Sequence, residues 1–225
     1  MAAVGERESD YAALGDVDPV LARLVVEYGM PDPFEFHDGG RTTGSNFAAM
    51  ALHILGQQIS TKVAFVLYDR LVAALDGTPN ATGILELGAE RIKGLGTSRA
   101  KAGYLVNLAE HVSDGRLPIE QMADLSDADA VEALVAVKGI GQWSAEMFLI
   151  HQLHRADILP AGDVGIRNAI AAAYRLDEVP TIPETRERGE AWAPWRTFAS
   201  AILWRSLAPS AGNAAQNQNQ RAATA

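Results

Sequence analysis

Apolar residues along this chain recur at helical spacing, and no segment carries a convincing strand-like alternation of apolar and polar residues. The first such set follows Asp18-Pro19, with Leu21, Leu24 and Val25 on one side and Gly29 and Pro31 as stop signals. Residues 34–43 hold the paired glycines Gly39 and Gly40 and predict an irregular segment. A helix through Phe47, Met50, Ala51 and Ile54 comes next, interrupted at Gly56-Gln57-Gln58-Ile59-Ser60. Ser60 is placed to cap a helix whose buried side is Val63, Ala64, Leu67 and Leu71. A turn at 75–80, short helices to Gly88, and a helix over 100–111 with Leu105, Leu108 and Ala109 inward continue the pattern. After a turn at 115–118, Ser126 with Asp129 at the capping-box position starts a helix that buries Val131, Leu134 and Val135. Further sets run through Trp143, Met147, Ile150 and Leu153, through Ile166, Ile170 and Ala173, and through Phe198, Ile202 and Leu203. The fold class predicted is all-α.

Residues 134–163 organise the rest. Gly139-Ile140-Gly141 joins two helix-length patterns by a tight turn, in which a residue without a Cβ can take a positive φ or admit a close backbone. The amides at the start of the second helix, residues 141–144, can then hold a phosphate without any lysine. Ile92-Lys93-Gly94-Leu95-Gly96 repeats that form more weakly, with Lys93 and Lys101 either solvated or near a flanking phosphate. Asp163, ending Pro160-Ala161-Gly162-Asp163 before the next helical set, has two readings, a helix cap or a reactive carboxylate. Gln57 and Gln58 are equally open between an exposed junction and a functional one.

Four blocks in order, ILGQQIS at 54–60, VKGIGQWSAEMFL at 137–149, PAGD at 160–163 and AWAPWRTFASAILW at 191–204, resemble the helix-hairpin-helix DNA glycosylases of the 3-methyladenine DNA glycosylase II class. The resemblance covers roughly residues 10–207. It implies two helical lobes flanking a cleft, without the N-terminal mixed α/β domain of larger members. Residues 47–156 would form the central lobe with the hairpin, and 11–46 with 157–207 the second lobe with the catalytic aspartate; 1–10 and 208–225 are expected to be disordered. The implied activity is hydrolysis of the N-glycosidic bond of alkylated purines such as 3-methyladenine or 7-methylguanine in duplex DNA by base flipping, leaving an abasic site. Asp163 would be the catalytic carboxylate, Trp143, Trp192, Tyr28 and Phe34 the base pocket, and Gln58 with Gln57 the minor-groove plug. Gly139, Gly141, Gln142, Ser144, Lys138, Lys93 and Lys101 would meet the DNA backbone. Lyase-type relatives carry a lysine where this chain has Trp143, so a bifunctional glycosylase/lyase is a weaker alternative, as is a non-catalytic damage binder of the same fold. No cofactor is required; the resemblance implies K⁺ or Na⁺ on the carbonyls of Val135, Val137 and Ile140.

Composition adjusts this picture in three ways. The 225 residues are 48% hydrophobic and 21% charged, ordinary for a globular chain. With no cysteine, a cysteine-ligated iron–sulfur cluster and disulfides are excluded, and the five histidines lack metal-ligand spacing. The net charge of −9 opposes DNA binding in bulk, although acidic residues concentrate near the N-terminus and over 110–132. Neither a secretion signal nor a membrane-length apolar run is present, so a cytoplasmic location is the expectation, and the resemblance implies a monomer acting on double-stranded DNA.

Overall fold

The structure is a computed structural model in which residues 4–42 and 44–208 are described. Eleven α-helices are found among them: α1 (Val4–Val17), α2 (Pro19–Tyr28), α3 (Asn46–Gly56), α4 (Thr61–Leu75), α5 (Ala81–Gly94), α6 (Arg99–Ser113), α7 (Asp127–Val135), α8 (Gln142–His151), α9 (Val164–Tyr174), α10 (Ile182–Gly189) and α11 (Arg196–Ser206). Two 3₁₀ turns, Ile119–Asp124 and Glu190–Trp192, complete the set, and no strand occurs among the described residues. None of the helices is long and apolar enough to cross a membrane.

Most helices begin where a short polar side chain precedes an apolar run. Asp18, Ser45, Ser60, Asn80, Ser98, Ser126, Asp163 and Thr181 each accept a hydrogen bond from a first-turn amide of the helix they precede. At Ser126 the arrangement differs from a full capping box, because its hydroxyl also donates to the Asp129 carboxylate at 2.6 Å. Gly88, at φ +73, kinks α5 and so accounts for the predicted break there.

The chain divides into two compact units, Phe36–Leu153 and the combination of Met1–Glu35 with His154–Ala225. This moves two expected boundaries: residues 36–46 belong with the central unit, and the crossover follows Leu153 instead of residue 156. Residues 4–10, expected to be disordered, lie in α1, which is anchored by the buried Tyr11 and Leu14. Those two side chains are the apolar area that the acidic composition concealed. Of the tail expected over 208–225, all but Ala208 lies outside the described residues.

In the central unit α3 is buried on nearly every side, with Phe47, Ala48, Met50, Ala51, Leu52, Ile54 and Leu55 inside, and it packs against α4, α6 and α8. Glu120 covers the start of α3 by accepting from the amides of Asn46 and Phe47, each at 3.0 Å. Lys101 Nζ closes the other end by donating to the Leu55 carbonyl at 2.8 Å. Val63 and Val135, expected inside, are 47% and 39% exposed. They lie at the edges of the buried faces, which Ala64, Leu67 and Leu71 form on α4 and Ala130 and Leu134 on α7. The other unit packs Tyr11, Leu14, Leu21, Leu24, Ile166, Ile170, Trp192, Phe198, Ile202 and Leu203 into one core.

Candidate functional site

Between α7 and α8 the hairpin is closed by Val137 N donating to Leu134 O and Ile140 N donating to Val137 O, both at 3.1 Å. Two neighbouring elements hold it. Asn107 of α6 accepts from Lys138 N at 2.9 Å, and Gln57, in the junction between α3 and α4, donates from Nε2 to the Gly139 carbonyl at 2.9 Å. Gly139 has φ +94, and a Cβ built there would lie 2.3 to 2.6 Å from three ring atoms of Tyr104. Glycine is therefore required twice over, by conformation and by contact. Gly141 differs, with φ −93, ψ 172 and no atom within 4 Å of a Cβ position. It caps α8 without contributing any side-chain bond, so its side of the helix start offers first-turn amides to an anion.

Trp143 follows on the first turn of α8 and is 44% exposed, unlike residues 144–150, all of which are buried. Its ring lies 5.8 Å from that of His53 at an interplanar angle of 40°. The two line a pocket of about 370 Å³ together with Phe36, Leu52, Gly56, Gln57, Gln58, Ile59, Thr61, Ala64 and Phe65. None of these residues is formally charged at neutral pH. Gln58 stands exposed with φ +58, a left-handed conformation that turns the chain sharply between α3 and α4. Burial, with His151 nearby, pushes the His53 imidazole down to about 4, and its Nε2 is buried without a hydrogen-bond partner.

In the other unit Asp163 fulfils the first of its two sequence readings, that of a helix cap. Its Oδ1 accepts from Ile166 N at 2.9 Å as the cap of α9, and from Trp204 Nε1 of α11 at 3.2 Å. Gly165 lets this happen, since a Cβ there would stand 2.9 Å from the same oxygen. The carboxylate is half-buried and fixed in orientation by two N–H groups from different elements.

Residues 52–194 match the family described as HhH-GPD superfamily base excision DNA repair protein. The chain belongs to this superfamily. A DNA-3-methyladenine glycosidase from Bacillus halodurans has a solved structure similar to this one, with a TM-score of 0.75 and 29% identity over 88% of each chain. A second solved structure, a Schizosaccharomyces pombe 3-methyladenine DNA glycosylase in complex with abasic DNA, gives a TM-score of 0.73 and 28% identity, covering 88% of this chain and 95% of that one. A putative DNA-3-methyladenine glycosylase of Bacillus subtilis is 29% identical over 170 residues, 72% of this chain and 59% of its own. The chain thus spans little more than half the length of that relative. The superfamily match encloses Gln57, the hairpin, Trp143, Asp163 and Trp192.

Within this superfamily member several expected site residues serve the fold. Trp192, expected in the base pocket, is 0% exposed in the core, and its Nε1 donates to Asp18 Oδ2 at 2.8 Å. A Trp inside an apolar cluster with its N–H satisfied is a packing residue. Phe34 meets Phe198 edge-on at 5.8 Å and His154 at 5.2 Å, and Tyr28 packs at the edge of the same core. Lys101 is committed to the Leu55 carbonyl and its pKa is lowered by burial; Lys93 pairs with Glu90 at 3.6 Å. Lys138, Gln142 and Gly141 are exposed, whereas Ser144 is buried at 7%. Pattern reading did not single out Phe36, His53, Phe65, Tyr104 or Asn107. A histidine inside the otherwise apolar run of α3 was the available signal for His53.

Proposed function

We propose that the protein is a monofunctional DNA glycosylase, hydrolysing the N-glycosidic bond of alkylated purines in duplex DNA and leaving an abasic site. The fixed Asp163 carboxylate, following a hairpin whose helix start is uncapped by any side chain, is the observation that carries this reading. The amides at residues 141–144 take a phosphate of the damaged strand, so that grip depends little on lysine. Gln58, exposed on its left-handed turn, enters the space left by the extruded nucleotide, while Gln57 ties that turn to the hairpin through Gly139 O. Trp143 stacks on the extruded base, and a positively charged N-alkylated ring gains a cation–π term there.

Heterolysis of the C1′–N bond sends the electron pair to the base, which leaves uncharged because it entered as a cation. Positive charge then develops on the sugar, as in other glycoside hydrolysis. Asp163 stabilises it and orients the water whose oxygen bonds to C1′, the released proton passing to the carboxylate or solvent. A cationic leaving group needs no strong general acid, which is consistent with a single carboxylate. The Val135, Val137 and Ile140 carbonyls fit a monovalent cation. Val135 ends α7, where carbonyls lack helical partners, and Val137 O keeps a second lone pair beside its bond to Ile140 N. Bound there, K⁺ or Na⁺ would supply charge between hairpin and phosphate.

The test is chromatography of bases released from methylated duplex DNA. Free 3-methyladenine or 7-methylguanine, with intact strands until alkali is added, is the expected result. No release above a heat-killed control, with binding to abasic DNA retained, would replace this reading with a damage-binding protein. A borohydride-trapped covalent complex lost on Lys138→Ala would replace it with a lyase.

A further inference from the structure

The Trp143 pocket offers a cation no carboxylate and confronts it with no fixed positive charge, so attraction there depends on aromatic faces alone. Phe65 is already engaged, because the Arg41 guanidinium lies 4.4 Å from its ring centre, neutralised by a bidentate pair with Asp69 at 2.8 and 2.9 Å. Phe36 stands 5.7 Å from the His151 ring. Trp143 is the exposed face, and the ring set against it is His53. We propose that His53 is a selectivity-determining residue of this pocket, whose uncharged imidazole lies beside the indole and favours the cationic ring of an N-alkylated purine over an uncharged damaged base. The proposal rests on the glycosylase reading and adds a residue to it.

The physical reason is competition for one aromatic ring. An imidazolium beside Trp143 would draw on the same quadrupole that a cationic base uses and would repel that base directly. A solvent-exposed histidine would carry that charge in mildly acidic conditions. Burial prevents it here, holding His53 near 4. The groups around it do not reverse the sign. His151 on α8 opposes protonation, Glu146 on α8 is buried and accepts from Gln142 Nε2 at 2.9 Å, and α4 contributes the uncharged Thr61, Ala64 and Phe65. The orphan Nε2 is a standing cost to folding of the kind found at functional sites.

The experiment compares single-turnover release of 7-methylguanine, a cationic base in DNA, with release of uncharged hypoxanthine, using the full chain. His53→Lys should lower the ratio of the two rates about tenfold, between the sizes of an exposed and a desolvated cation–π contact, and His53→Gln should hold it within about threefold. An unchanged ratio in His53→Lys overturns the proposal. A second readout covers the case in which that variant does not fold: the fluorescence difference between wild type and Trp143→Phe, titrated with acid. It should change with a midpoint near 4 and lose that change in His53→Gln; a flat wild-type signal overturns the proposal. If wild type releases neither base, the glycosylase reading fails, while the fluorescence titration still reports whether His53 addresses Trp143.

Discussion

Replacing Gly139 with alanine isolates what the hairpin needs from what DNA needs. The new Cβ meets Tyr104 Cγ, Cδ2 and Cδ1 at 2.3, 2.4 and 2.6 Å, distances that no rotamer of alanine relieves. Overpacking of this kind costs about 1–3 kcal/mol. Holding a non-glycine residue at φ +94 adds about 1–3 kcal/mol. A further loss follows if the hairpin shifts enough to break the 2.9 Å bond from Gln57 Nε2 to the Gly139 carbonyl, about 1 kcal/mol. The expected total is about 2–7 kcal/mol, visible in urea denaturation as a lowered midpoint with an unchanged slope. Gly141→Ala, with ordinary dihedrals and open space, should stay within about 0.5 kcal/mol of wild type yet weaken DNA binding by placing a methyl group beside the α8 amides. Pairing Gly139→Ala with Tyr104→Ala should show a favourable coupling of about 1–3 kcal/mol, because removal of the ring leaves only the dihedral strain. Equal stability of the two glycine variants, or no coupling to Tyr104, would refute the account of the hairpin.

Asp163→Asn should remove most base release while leaving stability within about 1 kcal/mol, since asparagine caps a helix as well as aspartate and keeps an acceptor for Ile166 N and Trp204 Nε1; thermal unfolding beside release kinetics checks both. Trp192→Phe should destabilise by about 1–3 kcal/mol through the lost bond to Asp18 and the smaller ring, and leave the preference among released bases unchanged; altered base preference would return Trp192 to the pocket. The Arg196 guanidinium beside Asp157, at 2.6 and 2.7 Å, holds that carboxyl below its ordinary range. Its stabilisation is therefore present above the ordinary carboxylate pKa and lost as pH falls through the depressed folded value. Asp157→Asn should lower the Tm at neutral pH, and the gap from wild type should close in that acidic window; a gap constant with pH would contradict the pairing.

Helix positions, caps and the hairpin were legible in the chain because each rests on local chemistry. A short oxygen-bearing side chain before an apolar run, or a glycine pair between two such runs, acts over three or four residues. Trp143 and Asp163 were legible for the same reason, one on the first turn of α8 and the other capping α9. What only the tertiary structure decided lies at long sequence separation. Trp192 and Trp143 are alike as letters, but Asp18 and a closed core claim the first, and an open pocket surrounds the second. Lys101 looks like a phosphate contact until α6 brings it to the Leu55 carbonyl, 46 residues away. Gly139 is a turn glycine in sequence, and Tyr104 is what forbids any substitute. The unpaired nitrogen of His53 is likewise invisible along the chain, because burial and the absence of a partner are properties of everything packed around it and not of its neighbours in sequence.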